Sequence, residues 1–112
     1  MTDTLDLSHW INGEKVQTDR PSESLNPSDT RELVARTPDG GDAEVNAAVA
    51  AAKDAFTGWS EASPEVRSDV LDRAGTLLME RREHVGRLLS REEGKTLPEG
   101  IGETVRAARI LK

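Results

Sequence analysis

The sequence predicts a mostly α-helical fold preceded by short β-hairpins near the N-terminus. Three observations carry this. Residues Asp42 to Trp59 place Val45, Ala48, Val49, Ala52, Phe56 and Trp59 at steps of three and four, one stripe of a 3.6-residue period. Ser63-Pro64-Glu65 then opens a second periodic run, with a capping serine, proline at the first helical position and a carboxylate facing the positive helix end. Before residue 38 the helical period is absent, and Asn12-Gly13 sits between two short strand-like pieces.

Residues 1–8 read as a loose, polar, flexible leader. His9 to Val16 reads as a tight hairpin: Asn-Gly suits a type I′ turn, whose two central residues need positive φ. Trp10 and Ile11 supply one strand, Lys15 and Val16 the other, and Trp10 is read as a hairpin aromatic ahead of a ligand-stacking one. Thr18 to Ser22 is a polar connection. Asn26 is held extended by Pro27, Ser28 to Arg31 makes a turn, and Glu32 to Thr37 is the next strand, placing Leu25 and Val34 on neighbouring strands. The hairpins thus occupy residues 9–37, closed by Pro38-Asp39-Gly40-Gly41.

The first helix is expected over about residues 42–57, with Asp42 as its cap and Gly58 as its left-handed stop. Its stripe is mostly alanine, so it needs partners pressed against it. The second helical region covers 64–93, striped by Val66, Val70, Leu71, Ala74, Leu77 and Leu78, with Asp69 and Arg73 spaced as a surface pair. The run Met79 to His84 interrupts the stripe before Val85, Leu88 and Leu89 resume it. The region reads as one long helix or as two with a bend near Arg82, ending at Gly94. A last helix, 98–112, has Thr96 as its cap and Ile101, Val105, Ala108 and Leu111 as its stripe; Gly100 and Gly102 weaken its first turn by about 1 kcal/mol each relative to alanine. The apolar period is still running at Lys112.

The composition bounds the function. In 112 residues, Leu, Ile, Val and Phe make up about one-fifth, so the core is small and stability marginal. A net charge of -6 disfavours nucleic acid and anionic membrane as partners. Eleven Arg against four Lys fits either a high-salt cytoplasm or a GC-rich gene. With no cysteine there is no disulfide, thiolate metal site or cysteine nucleophile. No run of about 18 apolar residues is present, and the first ten residues lack the features of a secretion signal, so a cytoplasmic location is expected.

The motifs assemble no site. Gly94-Lys95-Thr96 ends like a P-loop, but the glycine required five positions earlier is Leu89, and the preceding segment is helical rather than a strand. Gly100-Ile101-Gly102 begins a dinucleotide fingerprint whose third glycine is replaced by Val105. His9 and His84 are the only histidines; His84 is expected at the surface, paired with Glu80, with too few ligands around it for a metal. Glu92 and Glu93 diverge by about 100° on a helix and read as a solvated face. Ser63 and Ser68 have no positioned base.

The order of these pieces is more specific than any one of them. A Trp-Ile-Asn-Gly hairpin is followed by Leu25-Asn26-Pro27 and a strand containing Val34-Ala35-Arg36. Then come the alanine helix ending Ala-Phe-Thr-Gly-Trp, the Ser-Pro-Glu-Val-Arg start of a leucine-striped helix, and Glu93-Gly94-Lys95-Thr96-Leu97 before the last helix. Over residues 9–112 this resembles the N-terminal segment of the aldehyde dehydrogenase superfamily. The resemblance implies a much longer subunit of α/β fold, of which this chain is an incomplete N-terminal portion. It implies a Rossmann-like NAD or NADP domain, a catalytic domain with a cysteine nucleophile, and an oligomerisation arm. The family's catalytic Cys, Glu and Asn and its cofactor-binding motifs lie beyond the equivalent of Lys112, so no catalytic, cofactor-binding or metal-binding role is assigned to any residue here.

The expectation that follows is an N-terminal fragment of an NAD(P)-dependent aldehyde dehydrogenase, inactive alone, whose partner is the remainder of the subunit. The alternative is a stand-alone helical interaction module derived from that fold. If the chain is complete, the Asp42–Trp59 face is expected to be under-buried, leaving exposed apolar helix faces open to self-association, whereas the module reading expects buried apolar faces.

Overall fold

A computed structural model describes residues 3–112. Its elements run β1 (Leu5–Asp6), β2 (His9–Ile11), β3 (Glu14–Val16), β4 (Pro21–Asn26), β5 (Asp29–Pro38), α1 (Asp42–Glu61), α2 (Pro64–Glu80), α3 (Arg82–Glu93) and α4 (Leu97–Ile110). They fall into two units, Met1–Leu25 with Leu33–Glu61, and Asn26–Glu32 with Ala62–Lys112.

In the first unit the Asn-Gly hairpin forms as its chemistry dictates. Asn12 and Gly13 have φ of 53° and 74°, and β2 pairs antiparallel with β3 in the register His9 to Val16, Trp10 to Lys15 and Ile11 to Glu14. The Lys15 ammonium lies 5.5 Å from the Trp10 ring centroid, so the aromatic face is used within the hairpin. The segment read as a loose leader contributes structure from residue 3 on; Met1 and Thr2 lie outside the described residues. Leu5 and Asp6 pair in parallel with Ala35 and Arg36, and Thr4 Oγ1 donates to the Leu33 carbonyl at 3.1 Å. A parallel pairing with a strand 30 residues away leaves no local sequence signal. Strand order is β1-β5-β4. On β5, Val34 and Ala35 are buried although successive strand residues point to opposite faces.

Two expectations about the second hairpin change. Pro21 begins β4 rather than sitting in a connection, and the turn is Pro27-Ser28, with Asp29 already in β5. An Asx turn closes it, the Ser28 N–H donating to Asn26 Oδ1 at 2.9 Å, which frees Asp29 to grip Arg31 through two side-chain bonds of 2.8 Å.

Helix α1 starts one residue earlier than a capping Asp42 allows. The Gly41 carbonyl accepts the first helical bond, from Val45, so Asp42 lies inside the first turn. The Glu44 carboxylate reaches back to accept from the Gly41 N–H at 2.7 Å, the glutamate half of a capping box. Gly58 does not stop the helix. Its φ is not positive, and α1 continues to Glu61, where the Ser63-Pro64 start of the next helix ends it. No residue of α1 is buried.

The second unit holds α2, α3 and α4. Ser63 Oγ accepts from the Val66 N–H at 3.3 Å, with Pro64 at the first position, as the sequence predicts. The 64–93 region is two helices broken at Arg81, whose φ of −94° and ψ of 9° leave the helical well. No glycine or proline lies there. The stretch Glu80-Arg81-Arg82-Glu83-His84 carries no apolar side chain to hold that turn against a neighbour, and Arg82 Nη1 caps the freed Met79 carbonyl at 3.2 Å. Gly94 has φ 76° and donates to the Ser90 carbonyl, the expected left-handed stop. Glu99 accepts from both the Thr96 N–H (3.0 Å) and the Thr96 hydroxyl (2.7 Å), fixing the start of α4.

The apolar stripe read for α4 is half-buried at Ile101, Val105 and Leu111 and buried at Ala108, but the closest packing runs along a second row beside it. The buried residues of α4 are Gly100, Thr104 and Ala108, a ridge of small side chains at steps of four. Facing them are Gly86 of α3 and Gly75 of α2, both buried. A Cβ on Gly86 would lie 2.7 Å from Ile101 Cα, one on Gly100 would overlap the Gly86 carbonyl, and one on Gly75 would lie 2.8 Å from the Ala108 carbonyl. Gly100 therefore is not merely a weak spot in a first turn. Its missing side chain lets two backbones touch, and Thr104 satisfies its own hydroxyl on the Gly100 carbonyl at 2.9 Å.

Candidate functional site

Several of the residues weighed for chemistry have a structural occupation. Lys95 is tied to two carboxylates, Glu93 Oε2 and Glu103 Oε1, both at 2.7 Å. The hydrogen bond to Glu103, then that to Glu93, holds its ammonium above the usual lysine pKa. With Gly94 as a helix stop and Thr96 as a helix start, all three residues of the Gly-Lys-Thr sequence are engaged in joining α3 to α4. A phosphate would have to displace two carboxylates from the lysine. Gly100 of the Gly-Ile-Gly pair faces Gly86, while Gly102 stands in open space.

Ser63 is a cap and Ser68 is exposed. Glu92 is exposed, and the side chain of Glu93 belongs to Lys95. His84 is exposed as expected, yet the structure records no ion pair with Glu80, because the break at Arg81 separates the two residues into different helices. Asp69 and Arg73 are likewise not the recorded pair on α2; Asp72 is, bound by Lys112 Nζ at 2.9 Å. Among the described residues no cluster of three His, Cys, Asp or Glu side chains is placed to hold a metal. No helix of the described residues is long and apolar enough to cross a membrane.

Two polar features were not read from the sequence. In the first unit, Thr18, Asp19, Arg20, Asp39, Gly40, Gly41 and Glu44 line an open depression of about 460 Å³. The Gly41 N–H, then the N–H of Glu44 itself, holds the Glu44 carboxyl below its usual pKa, so it stays an acceptor at the helix start. In the second unit, Arg91 Nε donates to Glu32 Oε1 at 2.7 Å while Asn26 Nδ2 donates to Glu32 Oε2 at 2.7 Å. Beside this pair Ser28 Oγ donates to the Gly94 carbonyl at 3.4 Å. Glu32 and Arg91 are 59 residues apart, and only folding reveals that they are partners. This arrangement binds a hairpin tip to the end of α3; it offers no open coordination position and no nucleophile.

The most prominent surface is the outer stripe of α1. Phe56 is 68% exposed and Val45 60%, with Val49 and Trp59 also exposed. On α2, Val66, Val70 and Leu71 are about half exposed as well. Large apolar side chains at helical period are a covering surface rather than a reaction site.

The N-terminal hairpins and capped helices belong to an architecture that comparison with known proteins identifies. Residues 10–112 match the sequence profile of the aldehyde dehydrogenase family, and the chain belongs to that family. It is 42% identical to 2-aminomuconic semialdehyde dehydrogenase of Danio rerio over 91 residues, 81% of this chain and 18% of that relative. It is 36% identical to malonate-semialdehyde dehydrogenase 2 of Geobacillus thermodenitrificans, over 100% of this chain and 23% of the relative. The fold superposes on 1-pyrroline-5-carboxylate dehydrogenase of Thermus thermophilus with a TM-score of 0.93 at 33% identity, over 96% of this chain and 21% of that one. It also superposes on the NADP-dependent glyceraldehyde-3-phosphate dehydrogenase of Bacillus halodurans, solved with NADP, with a TM-score of 0.90 at 32% identity, over 94% of this chain and 22% of the other. The chain thus spans about one-fifth of the length of the relatives it matches.

Proposed function

We propose that this chain is the N-terminal structural portion of an NAD(P)-dependent aldehyde dehydrogenase, an oxidoreductase converting an aldehyde to an acid, and that it has no such activity by itself. One observation carries the reading: the family match runs from residue 10 to residue 112 yet covers about a fifth of each relative, in a sequence without a cysteine. The exposed apolar stripe of α1 supports it, because such a stripe is stable in water only when something covers it. The partner in this reading is the remainder of the subunit, in the cytoplasm, with NAD or NADP held by that remainder. Substrate class follows the remainder too; the relatives named above are dehydrogenases of two semialdehydes, of 1-pyrroline-5-carboxylate and of glyceraldehyde-3-phosphate.

The test is a chimera. This chain replaces the matching residues of the Thermus thermophilus 1-pyrroline-5-carboxylate dehydrogenase. A soluble chimera that reduces NAD with its substrate, beside an isolated chain giving no aldehyde-dependent NADH, is the expected result. NADH formation by the isolated chain overturns the claim that the chain lacks activity.

A second reading has a specific observation behind it. The α2–α4 unit is internally packed and capped, as a stand-alone interaction module requires. It predicts cooperative unfolding of a monodisperse isolated chain together with a chimera that fails to fold.

A further inference from the structure

The first unit contains one buried side-chain polar atom without a hydrogen-bond partner among the described residues, His9 Nε2. An unpaired buried ring nitrogen is costly to keep, so its surroundings repay attention. His9 lies on β2, opposite Val16, and its ring packs against Gly40. A Cβ built on Gly40 would be 3.2 Å from both Nε2 and Cε1 of His9, and 3.7 Å from Glu44 Cβ. The imidazole edge and the root of the Glu44 side chain thus flank the same point over a glycine that leaves room for both. His9, Trp10, Ile11, Gly40, Glu44, Val45 and Ala48 line one cleft here, and Glu44 is the only acidic side chain among them; Lys15 on β3 is engaged over Trp10. Glu44 is committed to the Gly41 N–H at 2.7 Å, where it holds the first turn of α1.

We propose that His9 and Glu44 form a proton-operated latch between the first hairpin and the start of α1. With His9 neutral, Nε2 has no partner and Glu44 caps Gly41. Protonation turns Nε2 into a charged donor in a buried position, where an unpaired cation is far costlier than an unpaired acceptor. Glu44 is the carboxylate that lines the same cleft, its Cβ and the Nε2 edge flanking Gly40. A charge-assisted bond to the imidazolium is stronger than the bond to a neutral amide, so the carboxylate leaves Gly41 and ties β2 to α1. No atoms are exchanged beyond the one proton taken from solvent. The latch exchanges a helix cap for a strand-to-helix tie as acidity rises.

The test is a pH series on the full 112-residue chain by two-dimensional amide NMR with hydrogen exchange. Across about pH 5 to 8, where imidazoles change charge, the Gly41 amide is expected to shift and, after correction for intrinsic rates, to exchange at least about tenfold faster at the acid end. His9→Gln abolishes this response while the rest of the spectrum stays dispersed. Glu44→Gln, which can still accept from Gly41 but offers no charge, also abolishes it. A Gly41 amide that is indifferent to pH in the unsubstituted chain overturns the proposal, as does a response that survives His9→Gln. A chain showing no protected Gly41 amide at any pH overturns it as well, since the latch requires the cap. Should His9→Gln lose dispersion, His9→Asn and the Glu44→Gln response decide in its place. None of these outcomes depends on whether the chimera described above is active.

Discussion

Helices α1 and α4 are built from similar material and end in opposite situations. Both carry small residues beside a sparse apolar stripe, chiefly alanine on α1 and a mix of glycine, alanine and threonine on α4. On α4 the small residues Gly100, Thr104 and Ala108 are buried against the glycines of α2 and α3, and the larger Ile110 is 75% exposed. On α1 no residue is buried at all, small or large. The contrast teaches that a small-residue face acquires its meaning from its partner. Where the partner also presents glycine, backbones approach and the small residues become the core. Where no such partner faces the helix, the same composition leaves Val45, Val49, Phe56 and Trp59 uncovered.

The strongest way to break this contrast is to fill the α3–α4 crossing. Gly86→Val inserts a branched side chain where Cβ alone would be 2.7 Å from the Ile101 backbone, and is expected to cost at least about 3 kcal/mol, at the upper end of overpacking penalties. Urea unfolding followed by circular dichroism measures it. Gly100→Ala is expected to be nearly as damaging. Gly102→Ala, two residues along in open space, should instead stabilise by up to about 1 kcal/mol, through helix propensity alone. If both alanine substitutions behave alike, the close approach of α3 and α4 is wrong.

Next in size is the ion pair that holds the hairpin tip in the second unit. Arg91→Met removes the donor at 2.7 Å from Glu32 while keeping the aliphatic stem, and is expected to cost about 1.5 kcal/mol by the same melt. A smaller effect is expected on α1. Phe56→Ala deletes a mostly exposed ring, so its cost in the isolated chain should stay within about 0.5 kcal/mol, apart from helix propensity. In the chimera, where the proposed function has that face covered, the same substitution is expected to cost several times more, as for a core aromatic. Equal effects in both settings would remove the case for a covered α1.

The smallest effect is a pH dependence at the start of α4. Hydrogen bonds from the Thr96 hydroxyl and then its backbone N–H hold the Glu99 carboxyl below its ordinary 4.5. Because the folded value lies below the unfolded one, this contribution is fully present above the unfolded value and is lost as pH falls through the folded value. Glu99→Gln should therefore lower stability near neutrality, where the contribution is fully present, and flatten the profile on the acid side of pH 4.5. Thermal melts at closely spaced pH values read the difference. A steeper acid slope in the variant than in the parent would contradict the capping role.

Legibility from sequence divides along the same line. Asn12-Gly13, Ser63-Pro64, Gly94 and Thr96 announce their structures because each acts on backbone groups within three or four residues of itself. Gly58 and Asp42 mislead for the same reason. Each is locally competent to end or begin a helix, but the neighbouring Ser63-Pro64 start and the Glu44 cap settle the boundaries elsewhere. Not legible were the Glu32–Arg91 pair, the His9–Gly40 packing and the parallel strand at Leu5, all of which join residues some 30 or more positions apart.

By itself, then, the sequence determined that helices fill most of residues 42 to 110, the first hairpin, the caps at Ser63, Gly94 and Thr96, and the family, because propensity, periodicity and turn chemistry are local and their order along the chain is specific. The tertiary structure alone decided that Gly75, Gly86 and Gly100 are contact surfaces rather than weak points, that 64–93 is two helices, and that α1 stays uncovered. A glycine declares only that it lacks a side chain; whether that absence is a defect or a docking site depends on the backbone brought against it.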